Sequence, residues 1–336
     1  MYNIENQNGG FPVLKDNKLY KILRLISTGT LLIHVYNKII SYRAVSYKNI
    51  SNSDARTYKW SFGPVYYEVK GKGEPLLLLH DCDPCFSGYE WSDIKEKLSE
   101  TYTVYIVDLP GCGRSCKNNM TYTFFLFVRF LNDFIEDIIK EKANVITSGY
   151  SGTFTIMSTA YKPENIGKII CINPPAVNDL HKNAYMAIPL IRKIIDLPIA
   201  GTFIYNLYAD KEAIRSRFSN QYFYDPRKVN DKLIEHLYKG SHTGGYNKKF
   251  LYSSLISGYL TTDIIHPLRK LDNGITLIVG EMYPDKKNII NSYLRYNNRT
   301  ETFQIPFSSR YPHLETPDQL LKLINMKERE YEKADI

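Results

Sequence analysis

Four short apolar runs limit what this chain can fold into: "PLLLLH" (75–80), "YTVYIVD" (102–108), "ANVITSG" (143–149) and "KIICINPP" (168–175). Each has strand length, and none shows the polar alternation of a strand with one wet face. Such runs belong to strands buried on both sides, which occur in parallel sheets covered by helices. "GITLIVGE" (274–281) and "TFQIPFS" (302–308) add two more strands. "GPVYYEVKG", followed by a "GKGE" turn, reads as an exposed edge strand. Helical stretches lie between the runs: "YEWSDIKEKLSE", residues 121–142 with Thr123 as cap, the segment up to Tyr161, and 316–333. Strands alternating with helices predict an α/β architecture, a doubly wound and mostly parallel sheet.

The alternation stops between residues 176 and 270, which read as a helical insertion placed as a lid over the carboxyl edge of the sheet. The expected organisation is therefore an amino-terminal extension (1–55, partly disordered with a basic apolar helix), a core (56–175 and 271–336) and a helical lid (176–270).

Composition removes several function classes. The net charge is +8, but Lys and Arg are scattered with no Arg-rich block, so nucleic acid is not an expected partner. No run reaches the ~18 uninterrupted apolar residues of a membrane span. Residues 18–40 are apolar but broken by Lys21, Arg24, His34 and Lys38. That stretch fits a helix lying on an anionic membrane surface, part of a targeting segment, or a helix packed on the main domain. Five cysteines at this length do not make a disulfide scaffold, and a reducing intracellular setting is expected. Cys82 and Cys85, with Cys112 and Cys116 on the next turn, have the chemistry of a zinc site. The preferred reading is four free, small apolar side chains; neither metal nor cofactor is expected.

The pentapeptide "GYSGT" (149–153) sits between an apolar strand and a helix. In that context a Gly-x-Ser-x-Gly turn mounts a serine at a strained position, with the following helix aiming its amino end at the site. Gly149 fits; Thr153 replaces the second glycine. The surrounding motifs agree in order: "GKGEPLLLLHD", Trp91, "DLPGCGRS" (108–115), "TAYKPENIGKIICINPP" and "PHLETPDQLLKLI". Together, over residues 63–330, they resemble the α/β-hydrolase superfamily, and the insertion is similar to the lid of plant and cyanobacterial members. The resemblance implies a serine hydrolase of ester or acyl substrates, with a small ester or lipid-like ligand. Ser151 would be the nucleophile, and the N–H groups of Gly152 and Cys82 the oxyanion donors.

The same resemblance exposes three altered positions. The family's histidine falls on Arg310, five residues before Glu315, and arginine stays protonated at working pH. The family's acid falls on Tyr283 in "GEMY". The family's His-Gly is His80-Asp81, and a carboxylate at ~5 Å from an oxyanion, at an effective dielectric of ~20, opposes it by roughly 3 kcal/mol. Candidate replacements are His313 as base and Asp285, or Asp179, as acid. The alternative is a catalytically inactive binding or scaffold protein in which Asp81 and Arg310 pair across the site. Asp108 and Trp91 read as structural, and His236, His242 and His266 as surface or packing residues.

Overall fold

The computed structural model describes residues 18–44, 54–184, 186–272 and 274–334. The disorder expected in part of the extension 1–55 lies outside them. Helix α1 (Lys18–Ala44) comes first. Eight strands then build one sheet: β1 (Ala55–Trp60), β2 (Gly63–Lys70), β3 (Pro75–Leu79), β4 (Thr103–Val107), β5 (Ala143–Ser148), β6 (Ile166–Ile172), β7 (Thr276–Gly280) and β8 (Glu301–Ile305). Their order is β1-β2-β4-β3-β5-β6-β7-β8. β1 and β2 are antiparallel to their neighbours and every later pair is parallel.

Two sequence expectations change here. "GPVYYEVK" is not an edge strand, because Ala55–Trp60 pairs along its outer side. "ARTYKW" hides this role because its polar side chains face outward, while Tyr58 and Trp60 pack inward. The segment after β3 is not one helix. It is a 3₁₀ turn (Gly88–Trp91) followed by the short α2 (Lys95–Leu98). Asp108 explains the break: its Oδ1 accepts from Gly88 N at 2.7 Å, and its Oδ2 from Arg114 N at 2.7 Å. One carboxylate thereby joins the loops after β3 and β4, a structural task that fits the sequence reading.

The apolar runs became central strands for the reason their composition indicates. β3 and β7 are buried along their whole length, with helices on both faces. On one face α3 (Phe124–Phe134, capped by Thr123) and α4 (Ser151–Tyr161) pack Phe127 against Phe154. On the other, α14 (Pro317–Ala334) sets Leu320 and Ile324 against Ile278 and Ile305. Between β6 and β7 lie α5 (Val177–Asn183), α6 (Pro189–Asp196), α7 (Ala200–Tyr208), α8 (Lys211–Arg217), α9 (Asp231–His242), α10 (Phe250–Ile256) and α11 (Ile265–Arg269). α12 (Lys286–Tyr296) follows β7, and the one-turn α13 (Pro312–Glu315) follows β8.

The order β4-β3-β5 fixes where a site can form. The chain leaves β3 for β4 on one side, then crosses over to β5 on the other. Loops after β3 and β5 therefore separate at the carboxyl edge, where this class of sheet binds ligands. Residues 80–87 and 149–151 line that opening.

Candidate active site

The turn 149–153 is shaped by one glycine. Gly149 has φ +55°, and a Cβ there would meet the Asp81 carboxyl at 2.1 Å. A glycine is needed both for the left-handed backbone and for that approach. Ser151 opens α4 and is fully buried. Its Oγ donates to the His80 carbonyl at 2.5 Å. Gly152 N–H closes the turn onto Gly149 O at 3.3 Å, while Cys82 N–H has no partner among the described residues. Thr153, the departure from the glycine pattern, fits by donating its Oγ1–H to Tyr150 O at 2.6 Å.

His80 is structural. Leu109 N–H donates to its Nε2 at 3.0 Å, so the ring proton sits on Nδ1 and is donated to Asp81 O at 2.8 Å.

Asp81 points inward and is almost completely buried. Its Oδ1 accepts from Tyr150 N–H at 3.0 Å. Its Oδ2 accepts from Tyr311 Oη at 3.0 Å and from Arg310 Nη2 at 3.4 Å. Burial pushes its carboxyl above the usual range, and Arg310 pulls against that rise. The Asp81–Arg310 pairing expected from the sequence is present.

Arg310 occupies the centre of an aromatic cluster. Its Nη1 donates to Tyr283 Oη at 2.9 Å and its Nε to Tyr311 Oη at 3.1 Å. Its guanidinium carbon lies 5.5 Å from the ring centre of Tyr222 and 5.5 Å from that of Tyr311. Its side chain keeps 26% of its exposure, so this corner of the site still reaches solvent. The backbone is pinned as well: Arg310 N–H donates to Tyr222 O at 2.9 Å, and Asn173 Nδ2 donates to the carbonyls of Ser309 and Arg310. Asn173 holds φ +40° to do this, at the end of β6.

The candidate replacements do not assemble around Ser151. His313 Nε2 pairs with Glu90 Oε1 at 2.7 Å, both side chains fully buried, and its ring stacks on Trp91. Glu90 Oε2 accepts from Asp81 N–H at 3.0 Å. His313 is thus committed to a buried carboxylate below the loop, not to the serine. Asp285 and Asp179 meet neither. Both accept from Asn288 Nδ2, at 3.2 and 2.9 Å, beside α12. The loop shift that would bring Asp285 inward is absent because Tyr283 already fills that place with its bond to Arg310.

Residues outside the sequence reading carry much of this arrangement. Glu315 Oε2 accepts from Ser309 N–H at 2.6 Å and its Oε1 from Tyr224 N–H at 2.7 Å, tying the loop after β8 to the helical insertion. Glu90 and Tyr311 complete the network around Asp81. The sequence held a signal only for Tyr311, which adjoins Arg310.

The thiols give no sign of reactivity. Cys82, Cys85 and Cys112 are buried, and burial pushes each thiol well up, away from the thiolate. Among the described residues no group of three or more His, Cys, Asp or Glu side chains could hold a metal ion.

Comparison with known proteins agrees with the architecture. A family model for the alpha/beta hydrolase fold matches residues 75–193. Pimeloyl-[acyl-carrier protein] methyl ester esterase of Aliivibrio fischeri is 39% identical over 54 residues, 16% of this chain and 20% of that protein. The Vibrio cholerae esterase of the same name is 34% identical over 55 residues, 16% of this chain and 21% of that protein. The match thus spans about a fifth of the length of these curated relatives. Among solved structures, the epoxide hydrolase CorEH aligns over 80% of this chain and 96% of its own, at TM-score 0.66 and 16% identity. The meta-cleavage product hydrolase of Pseudomonas fluorescens IP01 aligns over 83% and 100%, at TM-score 0.65 and 18% identity. These likenesses concern the fold. With its eight-stranded sheet, its crossover at β3 and the matched segment 75–193, the chain has the alpha/beta hydrolase fold.

Proposed function

We propose that this hydrolase-fold protein does not hydrolyse esters through a serine relay, and that it acts as a binding protein for a small polar or anionic molecule. The observation that carries the reading is the Asp81–Arg310 pair, closed by Tyr283 and Tyr311 over the turn that holds Ser151. A serine hydroxyl reacts only when a base removes its proton. Here the hydroxyl donates to a main-chain carbonyl, and the position of the family's histidine holds a cation with no acceptor capacity. The ligand class follows from Arg310. Three of its five N–H donors are used among the described residues, which leaves one on Nη1 and one on Nη2, and the side chain as a whole keeps 26% of its exposure. A carboxylate or another polar oxygen group fits them, held against the Tyr222 ring.

The test is labelling of the purified protein with a fluorophosphonate probe, beside Ser151→Ala, with the adduct located by mass spectrometry. The expected result is no adduct on Ser151 in a folded protein. An adduct at Ser151, absent from the variant, overturns the reading.

A second reading, a residual esterase, is favoured by the local likeness to the methyl ester esterases and by the Gly-Tyr-Ser-Gly-Thr turn itself. It requires His313 to leave Glu90, and it is the reading that a Ser151 adduct would support.

A further inference from the structure

Helix α1 presents an apolar surface that the described residues do not cover. Its second half is docked. Asn37 Nδ2 donates to Ile199 O at 3.0 Å, Asn206 Nδ2 donates to Asn37 Oδ1 at 2.8 Å, and Tyr36 meets Phe203 edge to face at 5.5 Å. Ile33, Tyr36, Asn37 and Ile40 form the contact stripe, at helical spacing, against α7. The first half is exposed among the described residues. Residues 18–28 are all exposed, and they include Leu19, Ile22, Leu23 and Ile26 on the continuation of that same stripe. Apolar side chains beside and behind that stripe are exposed too: Leu25 is 75% and Leu32 65% exposed on its flank, and Leu31 61% on the far side. Uncovered aliphatic surface on this scale marks an interaction site.

Charge identifies the occupant. The helix carries Lys18, Lys21, Arg24, Lys38 and Arg43, and not one Asp or Glu. A second copy laid on this face would bring like charges together, whereas an anionic bilayer surface takes both the cations and the aliphatic side chains. Helix α6 also carries exposed apolar side chains. Leu190 and Ile194 are exposed beside Lys193, and the α6–α7 corner is where Asn37 docks. No described helix is long and apolar enough to cross a membrane, so the contact is with the surface.

We infer that α1 seats the protein on an anionic membrane surface. The Asn37 network makes α1 one body with the helical insertion. The insertion is then held at the lipid boundary, which sets the side from which a ligand reaches Arg310. The assignment of α1 itself does not depend on whether Ser151 reacts.

The test is co-sedimentation of the full chain with vesicles of phosphatidylcholine alone and with about 30 mol % phosphatidylserine. It is repeated for Leu25→Glu/Leu32→Glu, whose side chains are 75% and 65% exposed. The wild type is expected to bind the anionic vesicles about tenfold more tightly than the neutral ones, with the gain lost at high salt. The variant is expected to lose at least about tenfold on the anionic vesicles with an unchanged melting curve. Equal binding to both vesicle types, no binding, or undiminished binding by the variant overturns the inference. So does a dimer, seen by light scattering, that the variant dissolves, because the patch would then belong to a second copy.

Discussion

Asp81 Oδ2 and Arg310 Nη2 lie 3.4 Å apart at the carboxyl edge of the sheet, on residues 229 positions apart in the chain. The pair is lopsided. Asp81 is buried, whereas Arg310 keeps a quarter of its exposure, so part of the attraction is screened. Removing the cation is therefore the costlier change. Arg310→Met strands a buried carboxylate and is expected to cost about 2 kcal/mol, discounted from the range for fully buried pairs. Asp81→Asn keeps an acceptor for Tyr150 N–H and is expected to cost about 1 kcal/mol. The double variant should cost less than the two together, by about 1 kcal/mol, in denaturant unfolding. Strict additivity would mean that the two side chains are neighbours without being partners.

Gly149 tests how tightly Asp81 is held. Alanine there must adopt φ +55° and also displace a carboxyl that already makes three hydrogen bonds. The expected loss for Gly149→Ala is about 3 kcal/mol, of which the backbone accounts for about 1. Shortening the obstacle separates the parts: Gly149→Ala on an Asp81→Gly background should cost only the backbone share. An equal loss on both backgrounds would show that the close approach adds nothing.

These two residues show what the sequence disclosed and what it withheld. The central strands were legible because their apolar runs are unbroken, and the 149–153 turn because a glycine and a serine stand between a strand and a helix. The Asp81–Arg310 pair was legible because both positions depart from a pattern whose members meet in space. β1 was not, since "ARTYKW" carries its apolar residues on one face only. Glu90 and Glu315 were not either. Nothing in a single chain distinguishes an acidic residue facing water from one turned inward to satisfy backbone N–H groups, and both of these do the latter. His313 was placed by loop counting, which cannot see that a buried carboxylate 223 positions earlier claims the same nitrogen.

Glu90 bridges that histidine and the loop bearing Asp81, so its two oxygens have separable duties. Glu90→Ala leaves Asp81 N–H and His313 Nε2 without partners in a buried place, an expected cost of about 3 kcal/mol. Glu90→Gln can accept from Asp81 N–H with its oxygen and donate to the unprotonated nitrogen of a His313 whose proton has moved to Nδ1. The expected cost is nearer 1 kcal/mol. Thermal unfolding of both variants reads the difference. A glutamine variant as damaged as the alanine one would show that the charge, not the hydrogen-bond geometry, is what the site needs.

Lys248 supplies a prediction about pH. Its side chain is buried, its Nζ has no hydrogen-bond partner among the described residues, and it lies 5.7 Å from the Tyr205 ring centre. Burial, with Lys117 nearby, lowers its pKa to about 7. The sign follows directly. Between that value and the ordinary lysine value near 10.4, the unfolded chain holds a proton that the folded chain does not. Folding is therefore penalised in this window, least at its alkaline end. The penalty grows as pH falls and levels off below about 7. Lys248→Met keeps the volume and removes the penalty, so at pH 8 it should stabilise the fold by about 3 kcal/mol. The gain should shrink towards pH 10. The buried thiols ionise on unfolding in the same range and act in the opposite direction, but they are common to both proteins and drop out of the difference. Urea unfolding of wild type and variant at pH 7, 8, 9 and 10 gives that difference. A gain that does not change with pH would mean that Lys248 stays charged in the folded protein.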